Sequence, residues 1–163
     1  MSSSLRYLLL VALPILLSIN GTRTFCGHPC PFQWISFGDH CYLLVLQRLT
    51  WADAETYCKQ LPTQRYGTAH LVWINSLEEQ QFVEATLHEA VSSFWLGLND
   101  IEEKGAFVWT GTSGSPGFTQ WRPGYSSSHN NYTVCATSYR ARWYATNCRL
   151  CNHFVCKVDN IRS

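Results

Sequence analysis

The spacing of apolar positions divides the chain into an early part with two helical stretches and a later part of short strands. Residues 34–37 and 41–45 read as strands on either side of Gly38-Asp39-His40, which predicts a short hairpin. Thr50 opens a helix. With Asp53 three residues on it can cap free backbone amides, and Trp51, Ala54, Tyr57, Cys58 and Leu61 recur at helical spacing before Pro62 ends the run. Ser76 and Glu79 repeat the device as a capping box, ahead of an apolar stripe of Leu77, Phe82, Val83, Leu87, Ala90 and Val91. From Phe94 onward the pattern changes to strand-like runs at 94–98, 107–110, 119–121, 132–138, 142–145 and 153–158. Helices first and antiparallel strands afterwards predict an α+β fold. Residues 111–124, rich in Gly, Ser, Thr and Pro, continue through Ser128, His129 and Asn130 and predict turns and a long loop.

The start of the chain has a different character. Arg6 precedes an apolar run at 7–19 and then the small and polar residues Asn20, Gly21 and Thr22, the pattern of a secretory leader. The expected division is a signal peptide over 1–24 and one domain over 25–163. The apolar run is shorter than the roughly 20 residues a membrane span needs, and no second one follows, so no membrane span is expected. A leader implies a secreted, extracellular and oxidising destination, where the eight cysteines are expected to pair. With 14% aromatic and 46% hydrophobic residues, the composition suits a compact, aromatic-rich interior.

Charge is balanced in sum and unbalanced in position. Ten of the eleven acids lie before residue 105, and none lies between 105 and 158, where Arg122, Arg140, Arg142, Arg149 and Lys157 sit. That distribution excludes a carboxylate base within residues 105–158. Enzyme motifs are incomplete as well: Gly111-Thr112-Ser113-Gly114-Ser115 lacks the last glycine of a hydrolase elbow, and His88-Glu89 lacks the second histidine of a zinc-protease helix. The chain is not expected to be an enzyme, nor to take nucleic acid as a partner.

The cysteines sit among further motifs: Cys30-Pro31-Phe32-Gln33-Trp34 with Phe37-Gly38-Asp39-His40-Cys41-Tyr42, then Trp51-Ala52-Asp53-Ala54-Glu55 with Cys58. His70-Leu71-Val72-Trp73-Ile74-Asn75-Ser76, Trp95-Leu96-Gly97-Leu98, Trp109, Trp121-Arg122-Pro123-Gly124, Cys135, Cys148 and Phe154-Val155-Cys156 follow in order. Over 30–158 this series resembles the C-type lectin-like domain. The resemblance implies an α+β fold of two helices, two small antiparallel sheets and a long loop. It also implies three bridges: Cys30 with Cys41, Cys58 with Cys156, and Cys135 with Cys148. Eight cysteines allow 105 pairings, so spacing alone does not choose among them. Cys26 and Cys151 are left over, to bond with each other or between chains; the second option would make a disulfide-linked homodimer. A zinc reading of Cys148-x-x-Cys151 with His153 and of Cys26-x-x-x-Cys30 would break two implied bridges and is set aside.

Sugar-binding members of the family hold Ca²⁺ at the long loop through carboxylates. At the positions the resemblance assigns, this chain has Tyr125-Ser126-Ser127, Thr133 before Cys135, and Tyr144-Ala145 after Trp143. Calcium wants six to eight oxygens, several from carboxylates, and the acid-free stretch supplies none, so no calcium and no other cofactor is expected. The residues that remain at that face are Arg122, Tyr125, His129, Asn130, Arg140, Arg142 and Tyr144. Strand alternation along 139–144 would put Arg140 and Arg142 on one face with Tyr139 and Trp143 on the other. Arginine grips carboxylate or sulfate with a two-pronged fork and aromatic rings stack on sugar faces, so the expected partner is a glycan or glycoprotein, acidic or sulfated. The other readings are a protein-binding module and a structural or matrix protein on the same fold. Asn131-Tyr132-Thr133 is a glycosylation sequon in the same loop. Trp73 stands where the family has a small residue, as a filler or as an exposed contact.

Overall fold

The computed structural model describes residues 30–63, 66–87, 91–111, 114–126 and 134–160. Ten elements follow in order: β1 (Ile35–Phe37), β2 (His40–Leu49), α1 (Trp51–Gln60), β3 (His70–Leu71), α2 (Leu77–Leu87), β4 (Ser93–Asn99), β5 (Val108–Trp109), β6 (Val134–Tyr139), β7 (Arg142–Asn147) and β8 (Asn152–Asp159). The strands run β1-β2-β8-β4-β6-β7 across the sheet, with β3 paired to β8 and β5 to β4. All these pairings are antiparallel except β4 with β8. That parallel contact joins the strands into one hydrogen-bonded network where two separate small sheets were expected.

Both helices start as their capping residues predict. Thr50 Oγ1 accepts from the Asp53 N–H at 3.3 Å, and Ser76 Oγ accepts from the Glu79 N–H at 3.1 Å. The stripe on α2 differs from expectation. Leu77 is 46% exposed, while Glu79 and Gln80 are buried. They are tolerated there because each is satisfied: Gln80 accepts from the Trp143 indole N–H at 2.7 Å, and Glu79 accepts from the Tyr42 hydroxyl at 2.7 Å and the Asn75 N–H at 2.9 Å and pairs with Lys157. Leu87's side chain and Ala90 lie outside the described residues.

The central strand β4 is covered on both faces, which is why it reads as a continuous apolar run. Phe94, Leu96 and Leu98 enter one core cluster with Val83, Trp109, Trp143 and Val155. Trp95 faces the other way into a second cluster with Trp51, Ala54, Cys58 and Phe154. Gly97 has a steric reason: a Cβ there would stand 2.7 Å from the Leu71 carbonyl oxygen. Trp73 proves to be a filler. Its ring centre lies 4.3 Å from the Lys157 ammonium, and its carbonyl accepts from that ammonium at 3.0 Å.

The three implied bridges are present: Cys30–Cys41, Cys58–Cys156 and Cys135–Cys148. Cys151 is exposed and unpaired among the described residues. Cys26 lies outside them, as do the leader, His129, Asn130 and the Asn131 sequon.

Candidate functional site

The segment around Trp121 is stitched to β7. Arg122 donates its N–H to the Trp143 carbonyl at 3.0 Å, Trp143 donates to Gln120 at 2.9 Å, and Ala145 donates to Tyr125 at 2.9 Å. Only the single bridge Trp121–Trp143 forms where a strand over 119–121 was expected. Arg122-Pro123-Gly124-Tyr125 then turns sharply, closed by the Tyr125 N–H on the Arg122 carbonyl at 2.9 Å, with Gly124 at φ +81°. Proline second and a positive-φ glycine third suit a type II turn. The turn carries Arg122 and Tyr125 to the same edge as Tyr144.

Beneath them Trp143 is fully buried, and Trp109, Phe118 and Trp121 meet its ring edge-on at 5.5, 5.7 and 5.8 Å between centres. This packing gives the surface residues a fixed base.

On that base five side chains form a ladder. Arg122 Nη1 donates to the Tyr144 hydroxyl at 3.1 Å, and its guanidinium stands 4.9 Å over the Tyr125 ring and 5.6 Å over the Tyr144 ring. Tyr125 and Tyr144 touch edge to face at 5.1 Å, Tyr144 and Tyr139 at 6.1 Å, and Arg140 stands 5.3 Å over Tyr139. Each exposed cation–π contact contributes only about 0.5–1 kcal/mol, so their effect is to orient the groups more than to hold the fold. The hydrogen bond to Tyr144 raises the pKa of Arg122 further, so the guanidinium is a fixed cation.

The predicted alternation of 139–144 does not hold. Arg140 and Ala141 have φ of +50° and +56° and form the two-residue turn between β6 and β7. The turn pairs Tyr139 directly with Arg142, so Tyr139, Arg142 and Tyr144 share a face and Trp143 points inward. Tyr139 therefore belongs to the site, although alternation assigned it to the opposite face. No glycine or asparagine marks the turn, so the sequence carries no signal for it. The structure thus brings together Arg122, Tyr125, Tyr144, Tyr139 and Arg140, with exposed Arg142 beside Tyr139.

Chemically, the face offers ring surfaces, one hydroxyl already engaged by Arg122, and guanidinium forks. It draws no carboxylate from residues 105–158, since none exists there. Among the described residues no group of three or more His, Cys, Asp or Glu is arranged to hold a metal ion.

A family model, the lectin C-type domain, matches residues 47–158. The chain belongs to the C-type lectin family. The human C-type lectin domain family 10 member A is 35% identical over 148 residues, covering 86% of this chain and 44% of that protein. The chain thus spans less than half the length of that relative. A snaclec of Gloydius halys, one chain of a coagulation factor IX/factor X-binding protein, is 30% identical over 149 residues, covering 90% of this chain and 92% of its own. Among solved structures, the C-type lectin CEL-I of Cucumaria echinata superposes with a TM-score of 0.73 at 26% identity, covering 79% of this chain and 96% of that one. In this lectin domain the Arg122 guanidinium lies against the rings of both Tyr125 and Tyr144. Members of this fold family are generally not enzymes.

Proposed function

We propose that this domain is a secreted carbohydrate-recognition protein that binds anionic glycans at the Arg122–Tyr125–Tyr144 face without calcium. One observation carries the reading: a cation, the Arg122 guanidinium, is held 4.9 Å and 5.6 Å from the rings of Tyr125 and Tyr144, two residues that on the resemblance would stand in place of metal ligands. Ring faces and a neutral hydroxyl do not fit a hard divalent ion that wants six to eight oxygens, and a neighbouring guanidinium repels it. The same group attracts sulfate or carboxylate and presents a planar fork to it. Secretion is supported by the leader pattern and by three disulfides.

A glycan array run with and without chelator tests this. Signal on sulfated or uronic-acid glycans that survives chelator is expected. Signal that disappears with chelator, or that appears on neutral glycans alone, would contradict it. A second reading has support in the name of the Gloydius halys relative, a protein that binds coagulation factors. On that reading the same face takes an acidic protein patch. A blank array, together with a protein ligand whose binding is lost in the Arg122→Ala variant, would favour it.

A further inference from the structure

A cleft of about 520 Å³ opens on the flank of the sheet, with Trp95 in its wall beside Arg48, Ser93, Thr137, Thr146 and Asn152. Strand register decides what it adjoins. Thr137 pairs with Tyr144 across β6 and β7 and with Trp95 across β6 and β4, while Tyr139 pairs with Arg142 on one side and Ser93 on the other. Directly paired residues share a face, so the cleft and the Arg122–Tyr144 ladder lie on one surface. Two contacts knit its polar lining: Ser93 Oγ donates to Asn152 Oδ1 at 3.0 Å, and the Thr137 and Thr146 hydroxyls are 3.2 Å apart.

At the far rim Arg48 Nη2 donates to the Cys151 carbonyl at 2.9 Å. That bond fixes the guanidinium in position and uses one of its five N–H donors. Among the described residues, none that lines the cleft is acidic. From β7 through β6, β4 and β8 to β2 the surface crosses five strands, about 19 Å at the usual spacing of neighbouring strands.

We propose that this flank is an extended subsite for a sulfated glycan chain, in which Arg142 and Arg48 engage sulfates at either side of the cleft and the Ser, Thr and Asn groups meet the chain's hydroxyls. It rests on the reading of the ladder as an anion-binding face and lengthens that face to one that needs several sugar units. The complementarity is of charge and shape together. A concave pocket that sets hydroxyls and an amide among the apolar Trp95 and Leu150 and the Cys151 thiol accepts single protruding groups of a sugar, whose ring faces are apolar and edges polar, and its cationic rims suit a chain that carries sulfates at intervals.

The test uses the purified protein with two probes, a sulfated disaccharide and a heparin-derived decasaccharide, and three variants: Arg48→Gln, Thr146→Glu and Arg122→Gln. The wild type should bind the decasaccharide at least about tenfold more tightly than the disaccharide, the scale of one charge-assisted hydrogen bond. Arg48→Gln and Thr146→Glu should each remove that advantage and leave disaccharide binding unchanged, while Arg122→Gln weakens both probes. Thr146→Glu places a carboxylate in the cleft without touching Arg48, so it speaks independently if Arg48→Gln disturbs the fold. If the advantage survives both cleft variants, the subsite is overturned, and the ladder stands provided Arg122→Gln still weakens binding. If Arg48→Gln acts and Arg122→Gln does not, the ladder reading fails and the subsite stands. If the wild type binds neither probe, both are overturned.

Discussion

His40, partly buried, and Glu55, buried, are two titratable residues that tie stability to pH. Burial is the largest influence on His40 and lowers its pKa from 6.5, helped by the Lys157 charge and opposed by Asp159. The Asp159 carboxylate, 3.0 Å from Nδ1, opposes that shift, as does the Glu79 charge, but burial prevails. For Glu55, burial raises the pKa, yet the His70 ring at 2.6 Å, the Leu71 N–H at 2.9 Å and the Thr110 hydroxyl at 2.8 Å together hold it below 4.5. Both groups have depressed folded pKa values, so the unfolded chain binds more protons than the native one in each window. Stability should therefore be flat with respect to these groups above pH 6.5, fall as pH drops through the His40 window, and fall further below 4.5. Melting temperature measured from pH 8 to 3 checks this. His40→Gln should flatten the upper part of the slope and Glu55→Gln the lower part; a wild-type profile rising toward acid would contradict both assignments.

Among the elements, the bridges differ most in what they constrain. Cys58–Cys156 joins α1 to β8 across 98 residues, whereas Cys30–Cys41 closes 11 at the N-terminal hairpin. By loop entropy these constraints are worth about 4.7 and about 2.8 kcal/mol. Removing the longer bridge as the double Cys→Ala variant should cost about 2 kcal/mol more than removing the shorter, read from urea unfolding; equal losses would contradict the entropic account. Helix starts and most strands were legible in the sequence because capping residues and apolar spacing act locally, as at Thr50 and Ser76. The turn at Arg140-Ala141 was not. Its positive φ values are imposed by β6 and β7 pairing on either side, and the residues themselves prefer other conformations. For the same reason the site was legible in composition, through its arginines and tyrosines, but not in its facing, since a two-residue turn resets the parity of everything after it. The buried Glu79 and Lys157 were equally hidden, because their pairing joins residues 78 apart in sequence.

At the scale of the molecule, the fold uses one sheet both as core and as platform. One face of β6 and β7 closes over Trp143, while the other carries Tyr139, Arg142 and Tyr144 outward, so the burial that stabilises the domain also fixes the presentation of its cations. Among the described residues, three disulfides and two large apolar clusters hold this platform in place. The central claim is that arginine, not calcium, performs recognition at this surface. Its most direct test is calorimetric titration of a sulfated glycan into the protein in chelator and in millimolar calcium, at low and high salt. Expected are the same affinity in chelator and in calcium, no competition by neutral mannose or galactose, and weakening as salt rises, because the screening length falls from about 10 Å at 0.1 M to about 3 Å at 1 M. Affinity that requires calcium, or that neutral sugars abolish, would contradict it.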